Sequence, residues 1–151
     1  MTEASLFVYK HLDVANLEEK LSLVGSNKLK MIITDGVFSM CGTVCPLPEL
    51  RKVADKYNAI LVVDDCHGVG TLGATGRGTE EHFNMIGAAD IVNSTLSKAM
   101  GGICCGYTTG QSWLISRLRL KSRPFVFGAA ITPITACAIK AIDIISTDTS
   151  R

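Results

Sequence analysis

The sequence has no excess of charge of one sign and no long apolar run. Its 15 lysine and arginine residues nearly balance its 14 aspartate and glutamate residues, which gives a net charge of +1. Surfaces that bind nucleic acid or anionic membranes carry clustered positive charge, so we predict no nucleic-acid partner. No apolar stretch approaches the roughly 20 residues that span a bilayer. The first residues also lack the charged-then-apolar pattern of a secretory signal, so we expect no membrane partner.

Cysteine is present, but not in the pattern of a disulfide framework or a zinc site. The chain has six cysteines among 151 residues, and no histidine stands where it would complete a set of zinc ligands. Free thiols in a reducing compartment are the simpler interpretation, and we predict no metal site. With 47% hydrophobic residues, the chain is long and apolar enough for one domain with a real core.

Strand-like and helix-like segments alternate along the chain. The segment AILVVDD is apolar on both faces, which is typical of a strand covered by helices on both sides. The repeated β-α-β order predicts an α/β fold with a mainly parallel sheet in three layers. The predicted strands are 6–10, 30–35, 59–65, 89–95 and 125–128, and the predicted helices are 13–24, 47–58, 110–122 and 132–146.

Reactive side chains follow three of the predicted strands. In open α/β sheets, ligands bind beyond the carboxyl ends of the strands. We therefore expect these side chains to share one pocket. They are Ser39 after the first of these strands, Asp64, Asp65 and His67 after the second, and Thr95 and Lys98 after the third.

Each of these signals alone also has an ordinary structural explanation. An aspartate after a strand, such as Asp64, commonly serves a turn or a helix cap. His67 in a turn is more often structural than catalytic, and Lys98 alone could be a surface charge. The glycine-rich stretch GVGTLGATGRG does not have the spacing of a phosphate-binding loop or a dinucleotide fingerprint.

In combination, the stretches DDCHGVG and NSTLSKAMGG resemble the pyridoxal-phosphate enzymes of the aspartate-aminotransferase fold type. Within that group, TDGVFSM, GATGRGTEEHF, GYTTG and SRPFVF resemble the α-oxoamine synthases, and the resemblance covers nearly the whole chain. It implies pyridoxal 5'-phosphate as cofactor. It also implies condensation of glycine with acetyl-coenzyme A to 2-amino-3-ketobutyrate, although other members use a different amino acid or acyl-coenzyme A. Some members lose the amino-acid carboxylate and others keep it, and these residues do not separate the two outcomes.

The resemblance also implies a role for each candidate residue. Lys98 corresponds to the lysine that forms the Schiff base with the cofactor and then moves the α-proton of glycine. Asp64 faces the pyridine nitrogen and keeps it protonated, so that the ring withdraws electrons. His67 bonds to the phenolic oxygen, Ser39 helps to fix the same region, and Thr95 approaches the phosphate.

The family proteins are longer than this chain. Residues 1–151 correspond to part of the large domain, without the N-terminal segment that stacks on the cofactor and without the small C-terminal domain. We therefore expect no turnover of glycine and acetyl-coenzyme A by the chain alone. Three interpretations remain open, and we rank them in this order. The chain is a fragment of an active synthase, a truncated non-catalytic relative, or another enzyme of the fold type, such as an aminotransferase. A homodimer is expected, in the cytoplasm or in mitochondria.

Several positions depart from the family pattern. Cys41 and Thr43 stand where relatives usually carry acidic residues, and Cys105 replaces a small residue. Gly128 and Ala129 stand where relatives have serine and asparagine, which bind the phosphate of the neighbouring subunit's cofactor. Loss of these side chains leaves backbone N–H groups in their place, which we expect to weaken cofactor binding.

Overall fold

The computed structural model describes residues 4–101, 104–128 and 135–148. Helices and strands alternate over most of this length, as the sequence predicts. In chain order the elements are α1 Val14–Ser22, β1 Lys30–Asp35, α2 Leu47–Tyr57, β2 Ala59–Asp64, α3 Thr79–His82, β3 Ile91–Thr95, β4 Gly106–Gly110, α4 Ser112–Lys121, α5 Arg123–Phe127 and α6 Thr135–Thr147.

The described strands form one sheet in the order β1-β2-β3-β4. The pairs β1–β2 and β2–β3 are parallel, whereas β3–β4 is antiparallel. The predicted α/β class with a mainly parallel sheet is confirmed. The register aligns Asp35 with Asp64, Asp64 with Asn93, and Asn93 with Thr108, so that one row of polar residues crosses all four strands.

The core lies between one face of the sheet and helix α2. Ile32, Leu61 and Val63 point inward from β1 and β2, and Leu47 and Leu50 of α2 are almost completely buried. Helix α1 adds to this core through its two buried leucines. Proline in the first turn of α2 suits its N-terminus, and a left-handed residue after its last turn ends it.

The opposite face of the edge strand β1 is open among the described residues. Met31 is 50% exposed and Ile33 is 62% exposed. Strand β2 is less open on that face, where Ile60 and Val62 are half-buried. Across residues 4–101, 104–128 and 135–148, no helix combines the length and apolarity that a membrane crossing requires.

Two predicted strands are wrong. Residues 6–10 form no regular structure, and Leu6 and Val8 are 86% and 78% exposed, so their apolar character reflects no packing in the described part. Residues 125–128 were expected as a strand, but helix α5 occupies most of this stretch. Pro124 stands in its first turn, where proline favours a helix, and this local effect overrides the β-propensity of the aromatic residues that follow.

The remaining differences concern short elements and boundaries. Strand β3 begins two residues later than expected, at Ile91; Asp90 before it donates its N–H to the Leu61 carbonyl and accepts Leu61 N–H through its side chain. The expected helix 132–146 corresponds to α6, although 132–134 lie outside the described residues. The sequence also gave no prediction of β4 or of the single turn α3.

Candidate active site

The carboxyl ends of β1, β2 and β3 lie side by side because these strands are parallel and adjacent. The first residue of antiparallel β4 pairs with Thr95, the last residue of β3, and so reaches the same edge of the sheet. The turns that follow the three parallel strands carry Ser39, His67 and Lys98. The predicted gathering of polar groups at this edge therefore has a structural basis.

Asp64 ends β2 with a half-buried carboxylate. Its Oδ1 accepts a hydrogen bond from the backbone N–H of Cys66 at 3.1 Å, and its Oδ2 accepts one from Asn93 Nδ2 at 3.4 Å. Burial raises the pKa of this carboxyl, but the Cys66 and Asn93 hydrogen bonds and the charge of Lys98 together bring the pKa below its usual value. Asp64 is therefore ionised at neutral pH and available to a cationic group.

Lys98 lies in the turn after β3, and its side chain is exposed. Its charge acts on the two groups at the end of β2, since it lowers the pKa of the Asp64 carboxyl and of the Cys66 thiol. For Cys66, burial and the neighbouring Asp64 outweigh this effect and raise the thiol pKa to about 11. A primary amine and an ionised carboxylate thus share one electrostatic environment, with a neutral thiol beside them.

The other predicted site residues differ in how far their side chains are engaged. Ser39 is exposed in the turn after β1, which is closed by a hydrogen bond from Gly42 N–H to the Phe38 carbonyl at 2.8 Å. His67 is half-buried, and its carbonyl accepts a hydrogen bond from Thr71 Oγ1 at 2.6 Å. Their predicted contacts with a cofactor stay predictions.

Thr95 is already engaged within its own turn. Its Oγ1 donates to the Cys105 carbonyl at 3.0 Å and accepts from the backbone N–H of Ser97 at 3.1 Å. These bonds close the turn that carries Lys98. The hydroxyl therefore has a structural role in the described chain, and the predicted approach to a phosphate is a separate, untested role.

Two of the predicted site residues lie far along the chain from these turns. Gly128 is exposed and directly follows α5, and a Cβ there would overlap the Pro124 carbonyl. Its glycine is thus explained by the close approach of its own helix. Ala129 lies outside the described residues.

Asp65 has a different role from its neighbour Asp64. It is 2% exposed, and its two carboxylate oxygens accept hydrogen bonds from Thr79 N–H at 2.8 Å and Thr79 Oγ1 at 2.6 Å. Asp65 thereby ties the far end of loop 66–78 to the end of β2. The sequence placed both aspartates at the site, and alternation along a strand was the signal that could have separated the inward from the outward carboxylate.

Helix α3, which follows the loop, carries a further carboxylate that sequence reasoning missed. Glu81 accepts hydrogen bonds from Thr75 Oγ1 at 2.6 Å, Thr75 N–H at 3.0 Å and Arg77 N–H at 2.9 Å. These bonds, led by the Thr75 hydroxyl, lower the pKa of Glu81. The glycine-rich stretch is thus organised by carboxylates of the chain itself, which supports its interpretation as turn structure.

A cleft of about 300 Å³ opens along β1, and Tyr9, His11, Asp35 and Phe38 are among its lining residues. Searched over the described residues, histidine, cysteine and carboxylate side chains form no group of three or more that could hold a metal ion.

The sequence pattern of the family described as aminotransferase class I and II matches residues 2–150. Among curated proteins, mitochondrial 2-amino-3-ketobutyrate coenzyme A ligase of Mus musculus is 44% identical over 146 residues, which is 96% of this chain and 35% of that protein. The 8-amino-7-oxononanoate synthase of Thermosipho melanesiensis is 47% identical over 152 residues, which is 100% of this chain and 39% of that protein.

Among solved structures, a serine palmitoyltransferase from S. paucimobilis with a bound adduct of PLP and myriocin matches with a TM-score of 0.86 and 31% identity. The match covers 92% of this chain and 35% of that chain. The chain thus spans little more than a third of the length of these proteins. The sequence and structure comparisons agree on the fold. The matched proteins carry three different enzyme names, so the comparisons do not single out one substrate.

Proposed function

The chain belongs to the family of class I and II aminotransferases, and we propose that it is the cofactor-holding part of an enzyme that joins an amino acid to the acyl group of an acyl-coenzyme A. The resemblance to the α-oxoamine synthases is confirmed, since both curated relatives belong to that group. The juxtaposition of the Lys98 amine and the ionised Asp64 carboxylate at adjacent strand ends carries the proposal.

Pyridoxal 5'-phosphate is the cofactor of this family, and the residues at the strand ends fit it. An amine such as that of Lys98 can attach an aldehyde covalently. Asp64 stays ionised although it is half-buried, and its carboxylate accepts hydrogen bonds from Cys66 N–H and Asn93 Nδ2, with the Cys66 thiol as a further partner. A carboxylate can accept about four hydrogen bonds, so Asp64 has capacity left for a protonated ring nitrogen.

Bound pyridoxal phosphate supplies an electron sink that stabilises negative charge on the α-carbon of an amino acid. The chain's own residues then hold and move protons. The Asp64 carboxylate would hold a proton on the ring nitrogen of the cofactor, because its lowered pKa keeps it negative. Lys98 Nζ would accept the α-proton of the amino acid. His67 and Ser39 would orient the ring from the neighbouring turns, and the hydrogen bonds of Thr95 fix the turn that carries Lys98.

For the substrates, we propose glycine and acetyl-coenzyme A, which makes the whole enzyme a glycine C-acetyltransferase. The 44% identity to 2-amino-3-ketobutyrate coenzyme A ligase supports this choice. The 47% identity to an 8-amino-7-oxononanoate synthase supports a second candidate, an α-oxoamine synthase with another amino acid or acyl group. The two candidates share the Lys98 and Asp64 chemistry and differ in the substrates that the completed site accepts.

The decisive experiment is a visible absorption titration with pyridoxal phosphate. We expect a yellow band in the wild-type chain that borohydride abolishes, and no such band in Lys98→Ala. Lys28→Ala is the matched control, since Lys28 is an exposed lysine in the loop before β1 and remote in sequence from the site. Equal bands in Lys98→Ala and wild type would contradict the assignment of the attachment residue.

Glycine and serine, each added to the yellow protein, then separate the substrate candidates. A spectral change at lower glycine than serine concentration supports the glycine enzyme, and the reverse order contradicts it. Release of coenzyme A from acetyl-coenzyme A measures turnover. We expect none from residues 1–151 alone, and activity of this chain would show that the shorter polypeptide suffices.

A non-catalytic role is the alternative if the wild-type chain gives no Lys98-dependent band. The absence of a side-chain donor at Gly128 supports that alternative, because serine there would offer a hydroxyl to the cofactor phosphate. We further propose a homodimer for the whole protein, as in the family it resembles. Sedimentation equilibrium with and without pyridoxal phosphate measures this, and a monomer under both conditions contradicts it.

A further inference from the structure

A chain of hydrogen bonds reaches Asp64 from two neighbouring strands. The Thr108 hydroxyl on β4 donates to Asn93 Oδ1 at 3.0 Å, and Asn93 Nδ2 on β3 donates to Asp64 Oδ2 at 3.4 Å. The three residues stand in register, Asp64 opposite Asn93 and Asn93 opposite Thr108. Residues directly opposite each other on paired strands present their side chains to the same face of the sheet. The contacts therefore follow from the register of the sheet.

The chemistry of the three side chains fixes which group donates in each of these hydrogen bonds. A carboxylate only accepts hydrogen bonds, so the group that faces Asp64 must be the NH₂ of the Asn93 amide. The amide oxygen then faces Thr108, whose hydroxyl can donate to it. The reversed amide would place two acceptors against each other at Asp64. The Asp64 carboxylate thus fixes the amide orientation, and the Thr108 hydroxyl holds the amide in place by donating to its oxygen.

The other carboxylate oxygen of Asp64 is held from the turn that follows its own strand. Oδ1 accepts the backbone N–H of Cys66 at 3.1 Å, so both oxygens have a fixed donor. With one donor on each oxygen, the plane of the carboxylate is determined. A carboxylate on a half-exposed strand end would otherwise rotate about its terminal side-chain bond, because that torsion is broad.

We propose that Asn93 and Thr108 form a positioning relay that holds the Asp64 carboxylate in the orientation that receives the ring nitrogen of the cofactor. This inference rests on the proposed function. Asn93 and Thr108 act through Asp64 and are positioning residues, not catalytic ones. Thr108 stands on the antiparallel strand β4. None of the site residues predicted from the sequence lies on this strand.

The chain offers a matched pair of variants on β4. Thr108→Val removes the relay hydroxyl and keeps the shape of the side chain. Thr109→Val makes the same change one residue later, where the side chain is also exposed and pairs with Val92. Successive side chains on a strand point to opposite faces, so Thr109 does not face the relay. Asn93→Leu removes the direct donor, and Thr108→Ser restores the hydroxyl.

The first measurement needs no cofactor. The ¹³C resonance of the Asp64 carboxyl is titrated by NMR in the cofactor-free chain. We expect the Asp64 pKa to rise in Asn93→Leu and Thr108→Val, because a hydrogen bond to the charged form is lost or misdirected. Thr109→Val should leave it unchanged, and Thr108→Ser should restore it.

The second measurement is the dissociation constant of pyridoxal phosphate from the visible band. We expect Thr108→Val to raise it about fivefold and Asn93→Leu about tenfold, as for loss of one hydrogen bond near a charge. In an Asp64→Asn background, Thr108→Val should add little, since the carboxylate that it positions is gone. A merely structural effect of Thr108→Val would persist in that background.

The two measurements separate the relay from the proposed function. If the wild-type band depends on Lys98 but Thr108→Val and Asn93→Leu titrate and bind as Thr109→Val does, the relay is wrong and the function stands. If the wild-type chain shows no Lys98-dependent band, the proposed function fails, and the role of the relay toward the cofactor fails with it. A Thr108→Val effect of equal size in the Asp64→Asn background also overturns the relay.

Discussion

At the scale of single residues, the environment divides chemically similar groups into different roles. Asp64 and Asp65 are adjacent, yet one presents an ionised carboxylate at the edge of the sheet and the other is buried against Thr79. The cysteines also differ, because their surroundings shift the thiol pKa in opposite directions. The sequence shows which residues can react, but only their surroundings decide which of them will.

Cys41 shows this most directly. Its Sγ lies 3.0 Å from Thr43 Oγ1 and 3.6 Å from His11 Nε2, on an exposed turn. The Thr43 hydroxyl, followed by the Thr43 backbone N–H, lowers the pKa of the Cys41 thiol. By contrast, burial raises the pKa of Cys45 to about 12. The Cys41 thiol thus has neighbours that stabilise its charged form.

We predict that Cys41 is alkylated faster than Cys104 at neutral pH, because a lowered pKa leaves more thiolate. Cys104 is also exposed and serves as the control in the same molecule. Iodoacetamide labelling followed by peptide mass spectrometry at several pH values gives both rates. Thr43→Val should slow the labelling of Cys41 and leave Cys104 unchanged. Equal rates at both cysteines in the native chain would refute the prediction.

At the scale of elements, the sequence predicted best where periodicity and burial agree. Strands β1 and β2 and helices α1 and α2 were found close to their predicted bounds, since these elements build the core. The prediction failed at 6–10, where Leu6 and Val8 are exposed, and at 125–128, where Pro124 favours a helix. It also missed β4, whose GYTTG sequence is short, bounded by glycine and mostly exposed.

The site was predicted in its residues but not in its contacts. The strand-end rule placed Ser39, Asp64, His67 and Lys98 on neighbouring turns, as the structure does. It could not reveal that Asn93 donates to Asp64 and that Thr108 donates to Asn93, because strand register brings these residues together. Register depends on tertiary pairing and leaves no local signal in a single strand.

The attachment of loop 66–78 gives a prediction at this scale. The glycines Gly36, Gly68 and Gly78 surround the Asp65 carboxylate so closely that a Cβ on any of them would overlap it. We expect Gly68→Ala to lower the free energy of unfolding by about 1–3 kcal/mol, as for overpacking of a buried site. Urea unfolding measures the change.

Gly25→Ala is the control for that experiment. Gly25 is exposed, and its added Cβ would meet only the Asn27 side chain at 3.2 Å. We expect a much smaller change there. If both alanine variants unfold at the same urea concentration as wild type, the packing around Asp65 is looser than described.

The junction between α2 and β3 gives a second prediction for an element. Asp90 Oδ2 accepts Leu61 N–H at 2.7 Å and Arg51 Nη1 at 3.0 Å, so one carboxylate joins a helix and two strands. Asp90→Ala should cost about 1–3 kcal/mol of stability, because Leu61 N–H loses its side-chain acceptor and Arg51 keeps only the Ala88 carbonyl and Asp55. Asp55→Ala removes only the exposed partner of Arg51 and is the control. Equal losses in the two variants, measured by urea unfolding, would contradict this account.

At the scale of the whole molecule, several carboxylates act in the same direction. The pKa values of Glu18, Asp64 and Glu81 are all lowered in the folded chain, Glu18 mainly by Lys56 and Glu81 mainly by Thr75. A lowered folded-state pKa means that the unfolded chain binds protons first as the pH falls. Their stabilisation is therefore present above the ordinary carboxyl range and is lost as the pH falls through the lowered values.

We thus predict that the urea midpoint is nearly constant from neutral pH down to about pH 5 and decreases below about pH 4. Glu81→Gln should make that decrease shallower, since it removes one of the titrating groups. Glu49→Gln, at an exposed position in the first turn of α2, is the control. An acid transition of the same steepness in wild type and Glu81→Gln would show that Glu81 does not contribute.

The antiparallel pairing of β3 with β4 also has a consequence for the order of folding. Thr108 and Asn93 are 15 residues apart in sequence, whereas Asn93 and Asp64 are 29 apart and belong to parallel strands. Local hairpins close in microseconds, and pairings between distant segments form later because longer loops must be closed. The turn with Lys98 should therefore be assembled early, as part of a hairpin. The Asp64 carboxylate should reach the Lys98 turn only when the parallel strands associate. The two groups of the site should therefore come together in a later step of folding than the one that forms the hairpin.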